Sequence, residues 1–305
     1  MAEARPILVV GSAALDTLKT PMGNENDALG GSSFYFSTAA SLYAPVRLVA
    51  VVGDDFPMDK IEFLKSRNVD LSGLEIASGE TFRWGGRYYR DPNKRDTLFT
   101  RLGVFENFDP KIPDHFRDSP FVFLGNIHPT LQLKVLDQIK DPELVVLDTM
   151  NFWIQGTPKE LENAIARANV LIVNDEEVLE LTGKEALIDA AEDLIARGPQ
   201  TVVVKKGQHG AVLFREKGDT FFIPAFPLRK VKDATGAGDT FAGGFLGYLA
   251  TQPNLDDPMV WRRAVAHGSV IASYVVEEFS MRRTMSITQD EIEKRVLRFR
   301  EMTEF

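Results

Sequence analysis

An aspartate that follows a short glycine-rich turn and falls in the first turn of a helix can remove a proton beside a bound anion. The run Asp233–Phe245, DATGAGDTFAGGF, has that arrangement. Gly236, Ala237 and Gly238 are small enough for the backbone to turn tightly and approach a ligand. From Asp239 onward, Phe241, Phe245 and Leu249 fall on one face at helical spacing. Such a turn aims free N–H groups and the positive end of the helix dipole at one spot, which suits phosphate. Together these features predict phosphoryl transfer, with Asp239 as the base that takes a hydroxyl proton. The run is not a Walker A loop, because GxxxxGK[ST] is absent from the chain. It is a poor Rossmann fingerprint, because Phe241 occupies the third glycine position.

Other polar residues recur where short apolar runs end. Asp16 follows Ile7–Val10, Gly53 follows 46–52, and Gly125-Asn126 closes FVFLGN. Asp148 ends LVVLD, Asn174 ends VLIVN, and Lys205 and Gly207 close TVVVKKG. From residue 121 these runs alternate with helical periodicity over 130–140, 158–168, 175–182 and 185–197. Three further helices are predicted over 239–251, 257–276 and 288–302. The alternation predicts a three-layer α/β/α sandwich with a mostly parallel sheet and right-handed crossovers. The carboxyl ends of its strands would gather along one edge, where such sheets bind ligands. AVLF and TFFI read as a hairpin, and 57–66 reads as helical.

Gly30-Gly31-Ser32-Ser33 opens a further predicted helix, FYFSTAASLY, whose small start would admit a substrate. Phe34, Tyr35 and Phe36 in succession put at least one aromatic ring off its core face. Residues 17–30 read as polar and irregular. Residues 82–101 mix aromatics, charges and turn signals, and read as two or three solvent-touching antiparallel strands. A piece of that character inside an α/β pattern suggests a lid.

Composition narrows the alternatives. At 305 residues the chain fits a single large α/β unit, 1–305, without an evident linker. A net charge of −9 makes it a poor candidate for coating nucleic acid or an anionic membrane. With no cysteine, disulfides, Cys-ligated zinc and thiol catalysis are excluded. The four histidines, at 115, 128, 209 and 267, are too scattered for a His-rich metal site. Neither a signal-peptide pattern nor an apolar run of ~20 residues occurs, so a cytoplasmic protein is expected.

DATGAGDTFAGGF together with Gly30-Gly31 resembles the two signature regions of the PfkB, or ribokinase-like, carbohydrate kinase family. The resemblance covers essentially the whole chain. It implies ATP as co-substrate, Mg²⁺, and Asp239 as catalytic base above an anion hole of Gly236, Ala237 and Gly238. It also implies a monovalent cation such as K⁺ at Asp233 and Thr235. Asn174 and Glu177 match the NxxE motif, with Glu177 towards Mg²⁺ and Asn174 towards the nucleotide. Lys205, Gly207 and Gly210 fall in the loop that lines the nucleotide, and His267 falls where some members face the adenine. Asp16, Gly30 and Gly31 match positions that hold sugar hydroxyls, with Ser32 and Asn126 beside them. Segments 17–30 and 80–103 match the lid, which in some members also forms a dimer clasp.

Two departures bear on the substrate. Tyr35 stands where many sugar kinases have Asn, and Ser32 stands where ribokinases have Lys. Phe34, Tyr35, Phe82 and Trp84 would suit a nucleobase or a larger, partly apolar acceptor. The expectation is therefore a kinase acting on a hydroxymethyl group of a sugar or sugar derivative. A nucleoside kinase on the same scaffold is the alternative. A non-catalytic metabolite sensor is a third reading, disfavoured because Asp239 and the whole cradle are intact.

Overall fold

Short β-branched runs that are apolar on every residue can be buried on both faces of a parallel sheet, and here they are. The computed structural model describes residues 4–304. Nine strands form the larger sheet: β1 (Ile7–Val10), β4 (Val46–Gly53), β5 (Val69–Ala77), β8 (Phe121–Leu124), β9 (Leu144–Asp148), β10 (Val170–Asn174), β11 (Thr201–Lys205), β12 (Ala211–Arg215) and β13 (Asp219–Ile223). Their order is β13-β12-β11-β10-β9-β8-β1-β4-β5. Only the β11–β12 and β12–β13 pairs are antiparallel, so the predicted hairpin closes one end of an otherwise parallel sheet.

The sheet separates two apolar cores. On one face Val146, Ile172 and Val203 meet Phe36, Phe245, Leu246 and Ile271, from helices Ser32–Ala40, Ala237–Ala250 and Pro258–Val275. On the other, Val145, Leu171 and Val204 meet Leu161, Val178 and Leu194, from helices Pro158–Ile165, Asp175–Thr182 and Leu187–Ala196. The expected three layers are therefore present. Among the described residues, no helix is long and apolar enough to cross a membrane.

Segment 17–30 corrects an expectation. It is not irregular but forms most of the hairpin of β2 (Ala14–Thr20) and β3 (Gly23–Gly30). The sequence of β3, GNENDALG, has almost no strand propensity. Its order comes from pairing with β2, which in turn pairs in parallel with β6 (Phe82–Tyr88). β7 (Arg95–Arg101) completes a four-stranded sheet in the order β3-β2-β6-β7. Register places Ala28 and Trp84 beside Asp16, and Arg95 beside Tyr88. Directly paired residues project to the same side of a sheet, and so do residues two apart in one strand. Asp16, Leu18, Trp84, Tyr88 and Arg95 therefore share one side of the smaller sheet.

Candidate active site

The cradle begins where the chain cannot carry a side chain. Gly236 takes a left-handed conformation, φ +71°, immediately before the Ala237–Ala250 helix. A Cβ there would run into the ring of Tyr35. Tyr35 is fully buried, so its ring is a fixed floor beneath the turn. Burial, with Asp233 and Asp16 nearby, holds its phenol well above the usual value, so it stays neutral. The amide of Ala237 donates to Ala234 and that of Thr240 to Gly236. The amides of Gly238 and Asp239 lie between them, in the first turn, where helical N–H groups have no partner within the helix. Asp239 stands in that turn, as expected.

Strand register then brings charged groups to the same place. Asp148 pairs with Ile172 on β10, and Asn174, two residues further on, pairs with Lys205 on β11. All three side chains therefore leave the sheet on the face covered by the Ala237–Ala250 helix. Lys205 Nζ donates to Asp148 Oδ1 at 3.0 Å, and both side chains are largely buried. The same Nζ is 3.0 Å from the point a Cβ on Gly238 would occupy. Asn174 caps the Asp175–Thr182 helix. Its Oδ1 accepts from the Glu177 amide at 2.7 Å, and Glu177 Oε2 accepts from the Asn174 amide at 2.8 Å.

That capping box explains NxxE structurally, but it does not explain why Glu177 is buried. Burial pushes its carboxyl up to about 7, with Asp148 adding to the rise and Lys205 opposing it. Asp239 is likewise pushed up to about 7, first by burial and then by Asp148, against Lys205 and Arg95. Asp16 is held well above the usual carboxylate range by burial, Asp233 and Asp239. Among the described residues no group of three or more His, Asp or Glu could hold a metal ion by itself. The donor set nevertheless fits Mg²⁺, which uses one or two carboxylates and completes its shell with phosphate and water. Glu177 is the carboxylate that would serve it. Asp233 is buried, and no salt bridge reaches it among the described residues. Its two oxygens accept from the amides of Thr235 and Ser280 at 2.9 and 3.0 Å. A buried carboxylate without a cationic partner fits a nearby monovalent cation.

Glu177 has a measurable signature. Its folded value lies above the ordinary one near 4.5, so the unfolded chain releases this proton first as pH rises. The resulting stability is fully present below about 4.5 and is lost as pH rises through about 7. Glu177→Gln cannot titrate but keeps an oxygen for the capping bond. It is expected to narrow the fall in melting temperature of the nucleotide-free protein across that window, and to blunt the Mg²⁺ dependence of turnover with acceptor KM nearly unchanged. Equal falls in the two proteins, with superposable Mg²⁺ titrations, would remove Glu177 from the site.

The residues expected to meet the acceptor come from the first helix and the smaller sheet. Gly31, φ +91°, packs with no room for a side chain against the backbone of Ser12, whose O would lie 2.5 Å from a Cβ. Gly30 leaves the space filled by the Asp16 carboxylate. Ser32 exchanges hydrogen bonds with Ser12, at 3.0 and 3.1 Å, and ties the first helix to the loop after β1. Ser32 is buried, and in the structure it braces this loop. Asn126 lies just past β8 and accepts from Trp153 Nε1 at 2.8 Å. Trp84 packs with Leu18, Ala28 and Phe279, and the Arg95 guanidinium lies 5.7 Å from its ring. Phe34 and Phe82 are drawn elsewhere, onto Phe56 at 5.6 Å and Phe105 at 5.3 Å, and they leave the set proposed for a nucleobase. Thr235 donates to the Tyr88 hydroxyl at 3.0 Å, joining the smaller sheet to the loop that feeds the cradle.

On the other side, the Gly207–His209 turn leaves β11 under the side chain of Asn93, which leaves no space for a Cβ on Gly207. Gly210 is pressed against the backbone of Ile223 and Pro224, a packing reason for glycine. His267 is not brought to the cradle. Its Nδ1 is 2.9 Å from the Tyr43 hydroxyl and its ring stacks on Tyr248 at 4.2 Å. Tyr248 is nine residues beyond Asp239, which is about 13 Å along the helix. Burial depresses the imidazole to about 4, so it is neutral at physiological pH. Two groups in the site were not expected from sequence. Asp148 marks only a strand end in the sequence, and Arg95 is one of several charges within 82–101.

Comparison with known proteins follows the same lines. Residues 132–287 match the pfkB family of carbohydrate kinases. The chain is 31% identical over 254 residues to a cytidine kinase of Thermococcus kodakarensis, covering 81% of this chain and 90% of that protein. The nucleoside kinase of Burkholderia thailandensis in complex with inosine superposes with a TM-score of 0.77 at 18% identity, covering 98% of this chain and 99% of that one. The ribokinase of Arabidopsis thaliana complexed with ribose and ATP gives 0.77 at 20% identity, covering 96% and 99%. The fold is ribokinase-like, and the site belongs to a phosphotransferase of the sugar and nucleoside kinase class. The chain belongs to the pfkB family of carbohydrate kinases.

Proposed function

We propose that this protein transfers the γ-phosphoryl group of ATP to the hydroxymethyl group of a nucleoside's ribose. The observation that carries the acceptor is the pairing of Asp16 and Trp84 on one side of the smaller sheet. Asp16 supplies a fixed acceptor for ribose hydroxyls. Trp84, with Leu18, Ala28 and Phe279, supplies an apolar slab for a flat base. The cytidine kinase relative supports the same choice. A free sugar is the second reading, supported by the Asp16, Gly30 and Gly31 cluster, which would serve a ribose in either case.

In this reading Asp239 takes the proton from the acceptor hydroxyl as its oxygen attacks the γ-phosphorus in line. The amides of Gly238 and Asp239 face the charge that builds on the phosphoryl oxygens. Glu177 would hold Mg²⁺, which when bound would offset the negative charge of the phosphates. Asn174 and the Gly207–Gly210 loop border the nucleotide, and Asp233 and Thr235 would hold a K⁺-like ion beside the loop before the cradle. The smaller sheet is the lid that excludes water from the transfer, and its outer side is where a second copy would dock.

Trp84→Ala separates the two acceptors. With a nucleoside, substrate binding is expected to weaken by roughly 1–3 kcal/mol, the usual worth of a base stacked on an aromatic ring. Turnover of a small free sugar should hardly change. A variant that keeps full nucleoside affinity would show that the base does not lie on Trp84.

A further inference from the structure

Lys205 and Asp148 form a buried ion pair that the transfer scheme above does not yet use. Bare ion pairs of this kind stabilise little, because removing both charges from water offsets their attraction. This one is also placed at a site. The ammonium is 3.0 Å from Asp148 Oδ1 and 3.0 Å from the Cβ point of Gly238, so it abuts the cradle rather than the sheet interior. Asp148 is held in turn: Gln132 Nε2 donates to its backbone carbonyl at 3.0 Å and to that of Gly125 at 3.0 Å. The cation is thus fixed by a carboxylate whose own strand end is pinned to its neighbour.

We propose that Lys205 is a catalytic residue that binds the transferring phosphoryl oxygens, and that Asp148 is the positioning residue that aims it. The inference rests on the kinase reading. The acceptor O–H yields its proton to Asp239, the new O–P bond forms, the bond from the γ-phosphorus to the β–γ bridging oxygen breaks, and ADP leaves with that electron pair. Negative charge on the three peripheral oxygens needs a cation close to the cradle amides, and Lys205 is already there. The groups that feel this ammonium agree with such a position. Asp148, Glu177 and Asp239 all raise its pKa against the effect of burial, so it is charged at neutral pH. Arg95 is a second cation acting on Asp239, carried by the smaller sheet and exposed. Of the two, Lys205 is the one locked in place without the lid.

The test compares ATP with ADP by calorimetry in the presence of Mg²⁺, using wild type, Lys205→Met and Asp148→Asn. Lys205→Met is expected to weaken a non-hydrolysable ATP analogue by about 10- to 100-fold, as for loss of a hydrogen bond to a charged group, while ADP affinity stays within a few fold. Asp148→Asn keeps an acceptor oxygen for the lysine but loosens its aim. It should lower kcat by about tenfold to a hundredfold with the KM for acceptor nearly unchanged. If ATP and ADP weaken equally in Lys205→Met, or Asp148→Asn retains full kcat, the assignment is overturned and the kinase reading survives. If the wild type binds neither nucleotide, both fall together.

Discussion

Replacing Asp239 with asparagine is expected to lower turnover by about 10²- to 10⁴-fold, the usual worth of a general base, while nucleotide affinity survives. Survival follows because the cradle is made of backbone amides, and an amide side chain of the same shape leaves the Ala237–Ala250 helix intact. The same residue predicts the pH profile. Only the ionised carboxylate accepts a proton, and burial with Asp148 raises Asp239 to about 7. kcat/KM should therefore rise with pH through that value and level off above it, and a carboxylate titrating there is well matched to proton transfer at neutral pH. In the asparagine variant that limb should vanish. Turnover within a few fold of wild type, or an unchanged acid limb, would show that another group is the base.

Gly236→Ala should cost both stability and turnover. Two costs add. A Cβ in a left-handed conformation costs ~1–2 kcal/mol. The methyl must also displace the ring of Tyr35, which is fully buried and cannot swing into solvent. Overpacking of that kind adds ~1–3 kcal/mol. Gly183 provides the control. It has nearly the same φ, +66°, but nothing within 4 Å of its Cβ point. Gly183→Ala should thus lose only the backbone share in a denaturant titration, with normal activity. Gly236→Ala should lose more stability and nearly all turnover, because the cradle amides move with the turn. Equal losses in the two variants would mean that the Tyr35 floor is soft.

The larger sheet was readable because its strands are continuous apolar runs, and such runs need no partner to announce themselves. ILVV, LVVLD and VLIVN became strands at their expected limits, TVVVKK lost one residue, and FVFLGN ended two residues early, at Leu124. β3 was unreadable for the opposite reason, since GNENDALG gains strand geometry only from β2 beside it. β5 escaped notice as well. It lies at the sheet's edge, and its mixed residues carry no clean alternation. Within the site, Asp239 and the glycines before it were legible because turn and helix are local. The Lys205–Asp148 pair joins residues 57 positions apart through strand order, and order is not written in either segment. Arg95 could have been found sooner. Its pairing opposite Tyr88 puts it on the inner side of a sheet whose two-residue period was visible. The contacts of His267 with Tyr43 and Tyr248 likewise join distant segments and are not written in its own helix.

The hydrogen bond from Thr235 to Tyr88 has a thermodynamic meaning beyond its geometry. One end belongs to the loop that leads into the glycine turn, and the other belongs to the smaller sheet, proposed above to border the acceptor. Both hydroxyls are buried, so neither can exchange its partner for water without moving its element. If the two elements move together, occupancy of one half of the cleft would bias the other half through a shared equilibrium. Linkage makes that bias reciprocal: the factor by which acceptor tightens nucleotide is the factor by which nucleotide tightens acceptor. A single neutral hydrogen bond limits the factor to about 1 kcal/mol, or roughly fivefold. A double titration of acceptor and nucleotide would read that coupling directly.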